Sequence, residues 1–264
     1  MEFSFYLFGF FICASIGSFY VTLSERILEF FYSKERKNKT FLQKLKKTLL
    51  ERSSCNHCGQ KLSPLNLFPV FGYFFSGKKC KTCNSKISIY YPISELFFGL
   101  GFILFFFLTK NLFYSVVVMV FIGHIYISAI TDWNYFSLDY ENLVFIVVFG
   151  SLTNYLLQKE LPTLNEVYVL FGFFVFYLGL YYFYKKGIGL GDVLFAPFYA
   201  FLSSHPWWML FLNSSYIIAI VFTILLKKKN QSLKNTPIPM GLYFSVGITI
   251  VYIAKAVYFK MQNI

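Results

Sequence analysis

Residues 112–131 read LFYSVVVMVFIGHIYISAIT, twenty consecutive positions without an Asp, Glu, Lys or Arg. A helix of about 20 apolar residues is long enough to cross the hydrocarbon core of a bilayer. Similar stretches predict further spans, and the full set lies at about 3–24, 88–108, 112–131, 141–158, 165–184, 193–204, 207–226 and 238–258. With 57% hydrophobic and 23% aromatic residues, the composition lies outside the range of soluble domains. The sequence therefore predicts an all-α polytopic membrane protein with about eight transmembrane helices.

The basic residues are distributed unevenly between the loops. Residues 25–89 hold fourteen of the 24 Lys and Arg, and six more follow the fifth and seventh predicted spans. Only four fall on the other side of the membrane in an eight-span arrangement. Short loops rich in Lys and Arg stay in the cytoplasm, so residues 25–89 are expected there, with both termini outside. The formal net charge of +12 then reflects topology and contact with anionic lipids, and it predicts no nucleic-acid partner.

Two Cys-x-x-Cys pairs lie in the long basic loop, CNHC at 55–58 and CKTC at 80–83. Two such pairs can supply the four thiolates of a tetrahedral structural zinc site. Disulfide or redox roles are the alternative, but cytoplasmic thiols are normally kept reduced. The sequence thus predicts a zinc site formed by Cys55, Cys58, Cys80 and Cys83.

The chain contains only three aspartates, and each is predicted at the cytoplasmic end of a span. Two of them, Asp132 and Asp139, follow the third span, and Asp192 follows the fifth. Two neighbouring carboxylic acids share a proton, which lets one activate water while the other polarises a carbonyl. An interfacial aspartate can also be solvated or cap a helix.

A glycine-rich stretch precedes Asp192 in the sequence KKGIGLGDVLF at 185–195. Gly187, Gly189 and Gly191 remove side chains from alternate positions, which permits close approach by another backbone. The stretch therefore predicts that another group comes close to Asp192. Close helix packing is the alternative explanation for such glycines.

Five motifs in this chain resemble those of the type IV prepilin peptidases, a family of membrane aspartic proteases. They are GSFYVTLSERI at 17–27, the four-cysteine segment 52–97, TDWNYFSLDY at 131–140, GIGLGDV at 187–193 and PIPMG at 237–241. The motifs occur in the family's order and cover nearly the full chain. The resemblance implies that Asp132 and Asp192 are the catalytic pair.

The first aspartate motif departs from the family's usual sequence. The family follows its catalytic aspartate with an Ile/Leu-Pro-Asp/Asn turn, whereas here Asp139 and Tyr140 follow Leu138 without a proline. Asp139 therefore competes with Asp132 for the catalytic position. Asp132 is preferred because it directly follows the third predicted span, as the family's catalytic acid does.

The resemblance also implies an activity, a location and a domain organisation. The chain is expected to remove the short basic leader from type IV prepilins or pseudopilins at the cytoplasmic face of a bacterial inner membrane. Methylation of the new amino terminus with S-adenosylmethionine is expected to follow. Residues 1–24 would form the first transmembrane helix, 25–87 the cytoplasmic zinc-binding domain and 88–264 the membrane peptidase domain.

Two other classes of function are compatible with the residues alone. Acids near the membrane and a cysteine cluster also occur in transporters or metal-handling proteins, although here the acids gather at one face. A scaffold that recruits pilus-assembly proteins through the zinc loop is the second alternative. Glu95, near the start of the second span, is equally compatible with binding a substrate amine and with a snorkelling or capping role.

Overall fold

The computed structural model describes residues 2–32, 46, 48–49, 51–55, 57–184, 188–226 and 237–262. Its principal helices are α1 (Glu2–Ile27), α2 (Tyr90–Thr109), α3 (Leu112–Tyr135), α4 (Tyr140–Gln158), α5 (Leu164–Phe183), α6 (Leu190–Ser203), α7 (Trp208–Leu226) and α8 (Met240–Gln262). Among the described residues, all of these except α6 are long and apolar enough to cross a membrane. The prediction of an all-α polytopic membrane protein is confirmed.

The chain forms two compact units, Met1–Gly123 and His124–Ile264. In the first unit, α1 packs along α2, and glycines bring the two backbones together. A Cβ on Gly9 would overlap the Phe102 ring at 2.0 Å, and one on Gly17 would approach Phe98 at 2.9 Å. Small residues at such contacts compensate for the absence of a hydrophobic driving force between helices in lipid.

The segment between α1 and α2 carries short helical elements and no regular strand among its described residues. A π-helical stretch, Leu28–Tyr32, continues α1, a 3₁₀ turn spans Pro64–Leu67, and about one and a half helical turns span Phe71–Phe75. Isolated bridges join Ser54 to Lys61 and Lys79 to Lys86. The four-cysteine cluster lies in this segment, as predicted.

In the second unit, α6 lies at the centre and packs against α4, α5, α7 and α8. Its side chains at Phe195, Tyr199 and Ala200 are fully buried. With 14 residues at 1.5 Å each, the helix is about 21 Å long, shorter than a bilayer core of about 30 Å. Because four helices pack against α6, most of its side chains are buried.

Two helix boundaries differ from the predicted spans and change where the aspartates lie. Helix α3 continues to Tyr135, so Asp132 lies within its last turn and not in the following loop. Helix α6 begins at Leu190, so Asp192 lies in its first turn. Both carboxylates are thus attached to helices, which fixes their backbones more firmly than loops would.

Candidate functional site

Asp132 is held at the end of α3 by the start of α8. Its side chain is 6% exposed, and its Oδ2 atom accepts a hydrogen bond from the Leu242 backbone N–H at 3.3 Å. The first backbone N–H groups of a helix lack intrahelical acceptors and carry partial positive charge. The N-terminus of α8 therefore supplies both a donor and a favourable field for this carboxylate.

Asp192 belongs to the first turn of α6. Its Oδ2 atom accepts a hydrogen bond from the backbone N–H of Gly189 at 3.3 Å, and Gly189 is the N-cap residue of the helix. An acid at this helical position is stabilised by the helix dipole. The side chain is half-buried.

The two acids lie close enough for their charges to interact. Leu138 lies between Gly191, next to Asp192, and Gly241, at the start of the helix that binds Asp132. A Cβ on Gly191 would lie 3.1 Å from Leu138 Cδ1, and one on Gly241 would lie 2.5 Å from Leu138 Cδ2. The Leu138 side chain thus sets the spacing between the start of α6, which carries Asp192, and the start of α8, which binds Asp132.

Asp139 has a different role. It is the N-cap residue of α4, and its side chain accepts a hydrogen bond from the Glu141 backbone N–H at 3.2 Å. Burial, followed by the nearby charge of Glu141, raises the pKa of Asp139. The side chain therefore acts as a helix cap in this structure, and the acid that interacts with Asp192 is Asp132.

Two tyrosines also face Asp192, and nothing in the sequence singled them out. The hydroxyl groups of Tyr177 on α5 and Tyr216 on α7 are 2.8 Å apart, and each interacts electrostatically with Asp192. Tyr177 is 1% exposed. The chain has 21 tyrosines, and these two are 39 positions apart, so no local pattern could have identified them.

The glycine stretch is only partly described. Gly187 lies outside the described residues, as do Lys185 and Lys186. A Cβ on Gly189 would meet its nearest neighbour at 3.6 Å, so this glycine is not required by packing. A Cβ on Gly191 would make a tight contact of 3.1 Å with Leu138 Cδ1, which agrees with the close-packing explanation at that position.

The four cysteines of the loop converge. Their sulfur atoms all lie within 4.8 Å of one another, with 3.7 Å between Cys55 and Cys83 and 3.9 Å between Cys58 and Cys80. A zinc ion with Zn–S bonds of about 2.3 Å places tetrahedral sulfurs about 3.8 Å apart. The donor set and its spacing therefore fit a tetrahedral metal ion.

The two cysteine pairs adopt the same backbone arrangement. The amide of Gly59 donates to Cys55 O, and the amide of Asn84 donates to Cys80 O, each at 2.9 Å. Both donor residues have positive φ angles, 71° and 57°, which glycine and asparagine tolerate best. Each pair thus ends in a tight turn that points both sulfurs to the same side.

The cluster also lowers the proton affinity of some of its thiols. A hydrogen bond with Ser85, followed by the backbone N–H groups of Cys58 and His57, lowers the pKa of Cys55 to about 5. Ser85 likewise lowers the pKa of Cys83. At Cys58 a backbone hydrogen bond from Gln60 is outweighed by desolvation and by hydrogen bonds with the other thiols, which raise its pKa to about 11. Thiolates are the metal-binding form of cysteine, so Cys55 and Cys83 are the members of the cluster that are prepared for a cation.

Two regions of the chain match known protein families. Residues 11–109 match the bacterial peptidase A24 N-terminal domain, and residues 119–224 match the type IV leader peptidase family. The second match contains both Asp132 and Asp192, and the first contains all four clustered cysteines. The chain belongs to the type IV prepilin leader peptidase family.

Curated relatives include other members of the prepilin leader peptidase family. A "Prepilin leader peptidase/N-methyltransferase" of Bacillus subtilis is 35% identical over 103 residues, which cover 37% of this chain and 40% of the relative. A "Type 4 prepilin-like proteins leader peptide-processing enzyme" of Escherichia coli is 26% identical over 77% of this chain and 76% of the relative. The Pseudomonas aeruginosa "Prepilin leader peptidase/N-methyltransferase" is 24% identical over 75% and 70%, respectively. No solved structure matches the chain.

The match to the leader peptidase family confirms the resemblance found in the sequence motifs. It gives no support to the transporter and scaffold alternatives, because both matched regions are peptidase domains.

Proposed function

We propose that this chain cleaves the leader from type IV prepilins or pseudopilins and methylates the new amino terminus, with Asp132 and Asp192 as the catalytic acids. The names of the relatives support the substrate class and both activities. The observation that carries the assignment of the acids is the packing of Leu138 against Gly191, next to Asp192, and against Gly241, where a Cβ would also lie 2.9 Å from Asp132 Oδ2. The two acids are 60 positions apart in the sequence, so only folding brings them together.

The chemistry of the proposed cleavage follows from two carboxyl groups that share one proton. The ionised acid removes a proton from water, whose oxygen attacks the scissile carbonyl carbon while the protonated acid donates a hydrogen bond to the carbonyl oxygen. The C–N bond then breaks, and the leaving amine takes up a proton from the acid that had accepted it. The Leu242 N–H fixes the orientation of Asp132, and Gly189 fixes that of Asp192.

The experiment that tests the acids is co-expression of each variant with a prepilin, followed by mass measurement of the pilin amino terminus. Asp132→Asn and Asp192→Asn should each leave the prepilin uncut, because loss of general acid–base function costs about 10²–10⁴ in rate. Asp139→Asn is the matched control, since asparagine is also a good helix N-cap. Cleavage by Asp132→Asn without cleavage by Asp139→Asn would move the catalytic role to Asp139.

We place the active acids and the cysteine segment on the cytoplasmic side of a bacterial inner membrane. The asymmetric distribution of Lys and Arg supports this orientation. The prepilin leader is basic and stays in the cytoplasm in this family, so its cleavage site would meet the acids at that face. The predicted division into 1–24, 25–87 and 88–264 remains our proposal for the roles of the segments.

The cysteine cluster is proposed to hold one structural zinc ion. When bound, zinc would link the two halves of the loop through Cys55, Cys58, Cys80 and Cys83. Such a site can contribute much of the folding free energy of a small domain. Its distance in sequence from the aspartate motifs is consistent with a structural role.

Methyl transfer is proposed to use S-adenosylmethionine, as the family resemblance implies. The methyl group would pass from the donor's sulfonium to the amino group released by cleavage, with loss of one proton from that amine. Mass measurement in the same co-expression experiment distinguishes a cleaved pilin from one that is cleaved and carries one extra methyl group.

A further inference from the structure

The segment between the two cysteine pairs is unusually apolar. Residues 62–77 contain no charged side chain, although Lys61 precedes them and Lys78 and Lys79 follow. Six large apolar side chains within this segment are at least 44% exposed. They are Leu65, Leu67, Phe68, Phe71, Phe74 and Phe75. Exposed apolar surface of this kind marks a site of contact with a membrane or another protein.

Aromatic contacts locate the segment along the first membrane helix. The rings of Phe68 and Phe71 lie 5.2 and 6.4 Å from the ring of Phe11. Phe11 is nine residues from Glu2 and fourteen from Glu25 in α1. At 1.5 Å per residue these separations are about 14 and 21 Å. The segment therefore reaches the middle of a helix that spans the membrane.

Polar contacts occur at both ends of the pair formed by α1 and α2. Lys110 pairs with Glu2 at 3.1 Å at one end, and Tyr91 bonds to Glu25 at the other. These polar groups belong at the two membrane surfaces, because ionisable groups are costly in hydrocarbon. Phe11 lies between them, so the phenylalanines that contact it are at the depth of lipid acyl chains.

The tip of the segment is tied to α2 by a buried acid. The Val70 N–H donates to Glu95 Oε2 at 2.6 Å, and the two residues are 8% exposed. Val70 has φ 66°, a strained conformation for a β-branched residue. Such strain persists only where surrounding contacts impose it. In hydrocarbon a backbone N–H must find a partner inside the protein, and Glu95 provides that partner.

The segment doubles back on itself tightly. The amide of Gly72 donates to Phe68 O at 2.7 Å, and a Cβ on Gly72 would lie only 2.3 Å from Asn66 O. The sulfur atoms of Cys58 and Cys80, one before and one after the segment, are 3.9 Å apart. Residues 62–77 therefore form a hairpin whose base is the cysteine cluster.

We propose that residues 62–77 are a re-entrant hairpin that inserts into the lipid leaflet on the side of the cysteine cluster. Its exposed phenylalanines and leucines contact lipid acyl chains, while Lys61, Lys78 and Lys79 at its base meet phospholipid headgroups. Glu95 binds the tip and so serves as a structural acid of the hairpin. The segment predicted as a cytoplasmic domain is then anchored in the bilayer at its centre.

Photo-crosslinking in native membranes tests this proposal. The photoreactive residue p-benzoylphenylalanine replaces Phe75, which is 64% exposed, and in a matched protein it replaces the exposed His57 of the first cysteine pair. After irradiation, intact-protein mass spectrometry should show a phospholipid adduct at position 75 and none at position 57. Phe74, which is 58% exposed, provides an independent second position with the same expected adduct.

Three results would overturn the hairpin. The first is the absence of lipid adducts with the photoreactive residue at both position 74 and position 75. The second is lipid labelling at position 57 that equals the labelling at position 75. The third is the replacement of lipid adducts by prepilin adducts when a prepilin is co-expressed. The last result would assign the apolar surface to the substrate. Because the readout is a lipid adduct in cells without prepilin, it is independent of the proposed peptidase activity.

Discussion

Gly241 leaves no space for a side chain beside Asp132. A Cβ at residue 241 would lie 2.9 Å from Asp132 Oδ2 and 2.5 Å from Leu138 Cδ2. The next residue, Leu242, donates its N–H to the same carboxylate oxygen. The glycine thus allows the start of α8 to come close enough to orient the acid.

Gly241→Ala should therefore impair prepilin cleavage more than it impairs folding. Overpacking costs about 1–3 kcal/mol, and a displacement of a catalytic group by about 1 Å can reduce the rate about 10²-fold. We expect at least a ~10-fold lower cleavage rate, measured as pilin maturation per amount of enzyme in membranes. Gly179→Ala on α5 is the control, because nothing lies within 4 Å of a Cβ there. Equal rates for the two variants would show that Gly241 does not position Asp132.

The spans were predictable because the length of an apolar stretch is a local property of the sequence. Convergence of the cysteines was also predictable, since each Cys-x-x-Cys pair forms its own turn. The choice of Asp132 over Asp139 depended on family resemblance, because spacing alone allows either. The structure adds that Asp139 caps α4. The sequence position of Asp139 allows this role but does not require it.

Other features depend on packing between distant segments. Leu138 contacts segments more than 50 and 100 positions later in the chain, and Tyr177 meets Tyr216 on a different helix. Val70 gains its conformation from Glu95, 25 positions away. No local periodicity encodes these contacts, because apolar and aromatic residues occupy most positions of the spans.

Tyr177→Phe should lower the cleavage rate without loss of protein. The substitution removes the hydroxyl that bonds to Tyr216 and interacts with Asp192 but keeps the ring. A neutral hydrogen bond contributes about 1 kcal/mol, so we expect about a five-fold slower cleavage of prepilin in purified enzyme. Tyr168→Phe on the same helix, where the side chain is 68% exposed, should cleave at the wild-type rate. An unchanged rate for Tyr177→Phe would remove this tyrosine from the site.

Topology can be checked at two lysines with opposite predicted locations. Reporter fusions after Lys61 and Lys260 should show a cytoplasmic position for the first and an external position for the second, because the basic residues are concentrated in the loop around Lys61. Alkaline phosphatase activity and green fluorescence give complementary signals for the two sides. In an eight-span arrangement seven crossings separate the first loop from the C-terminal end of the last span, so the same location at both sites would contradict the proposed orientation.

Cys55→Ser should remove the metal ion. One of four ligands is lost from a cluster whose sulfurs lie within 4.8 Å, and thiolates are the ligands that structural zinc sites use. Elemental analysis should give about one zinc per chain in the wild type and a much lower ratio in the variant. Cys13→Ser is the control, because Cys13 is buried in α1 outside the cluster. Wild-type protein purified without chelators and found free of zinc would contradict the proposed site.

Ser85→Ala tests how the cluster holds its thiolates. Because the Ser85 hydrogen bond is the largest cause of the low pKa of Cys55, about 5, its removal should raise that pKa. In metal-free protein at pH 6, wild-type Cys55 is mostly thiolate and the variant holds less, so alkylation by iodoacetamide should be slower in the variant. Above pH 9 both proteins are thiolate, and the difference should vanish or reverse, since a more basic thiolate is more nucleophilic. Peptide mass spectrometry of the alkylated Cys55 measures both rates, and a variant that reacts as fast as wild type at pH 6 would show that Ser85 does not control this thiol.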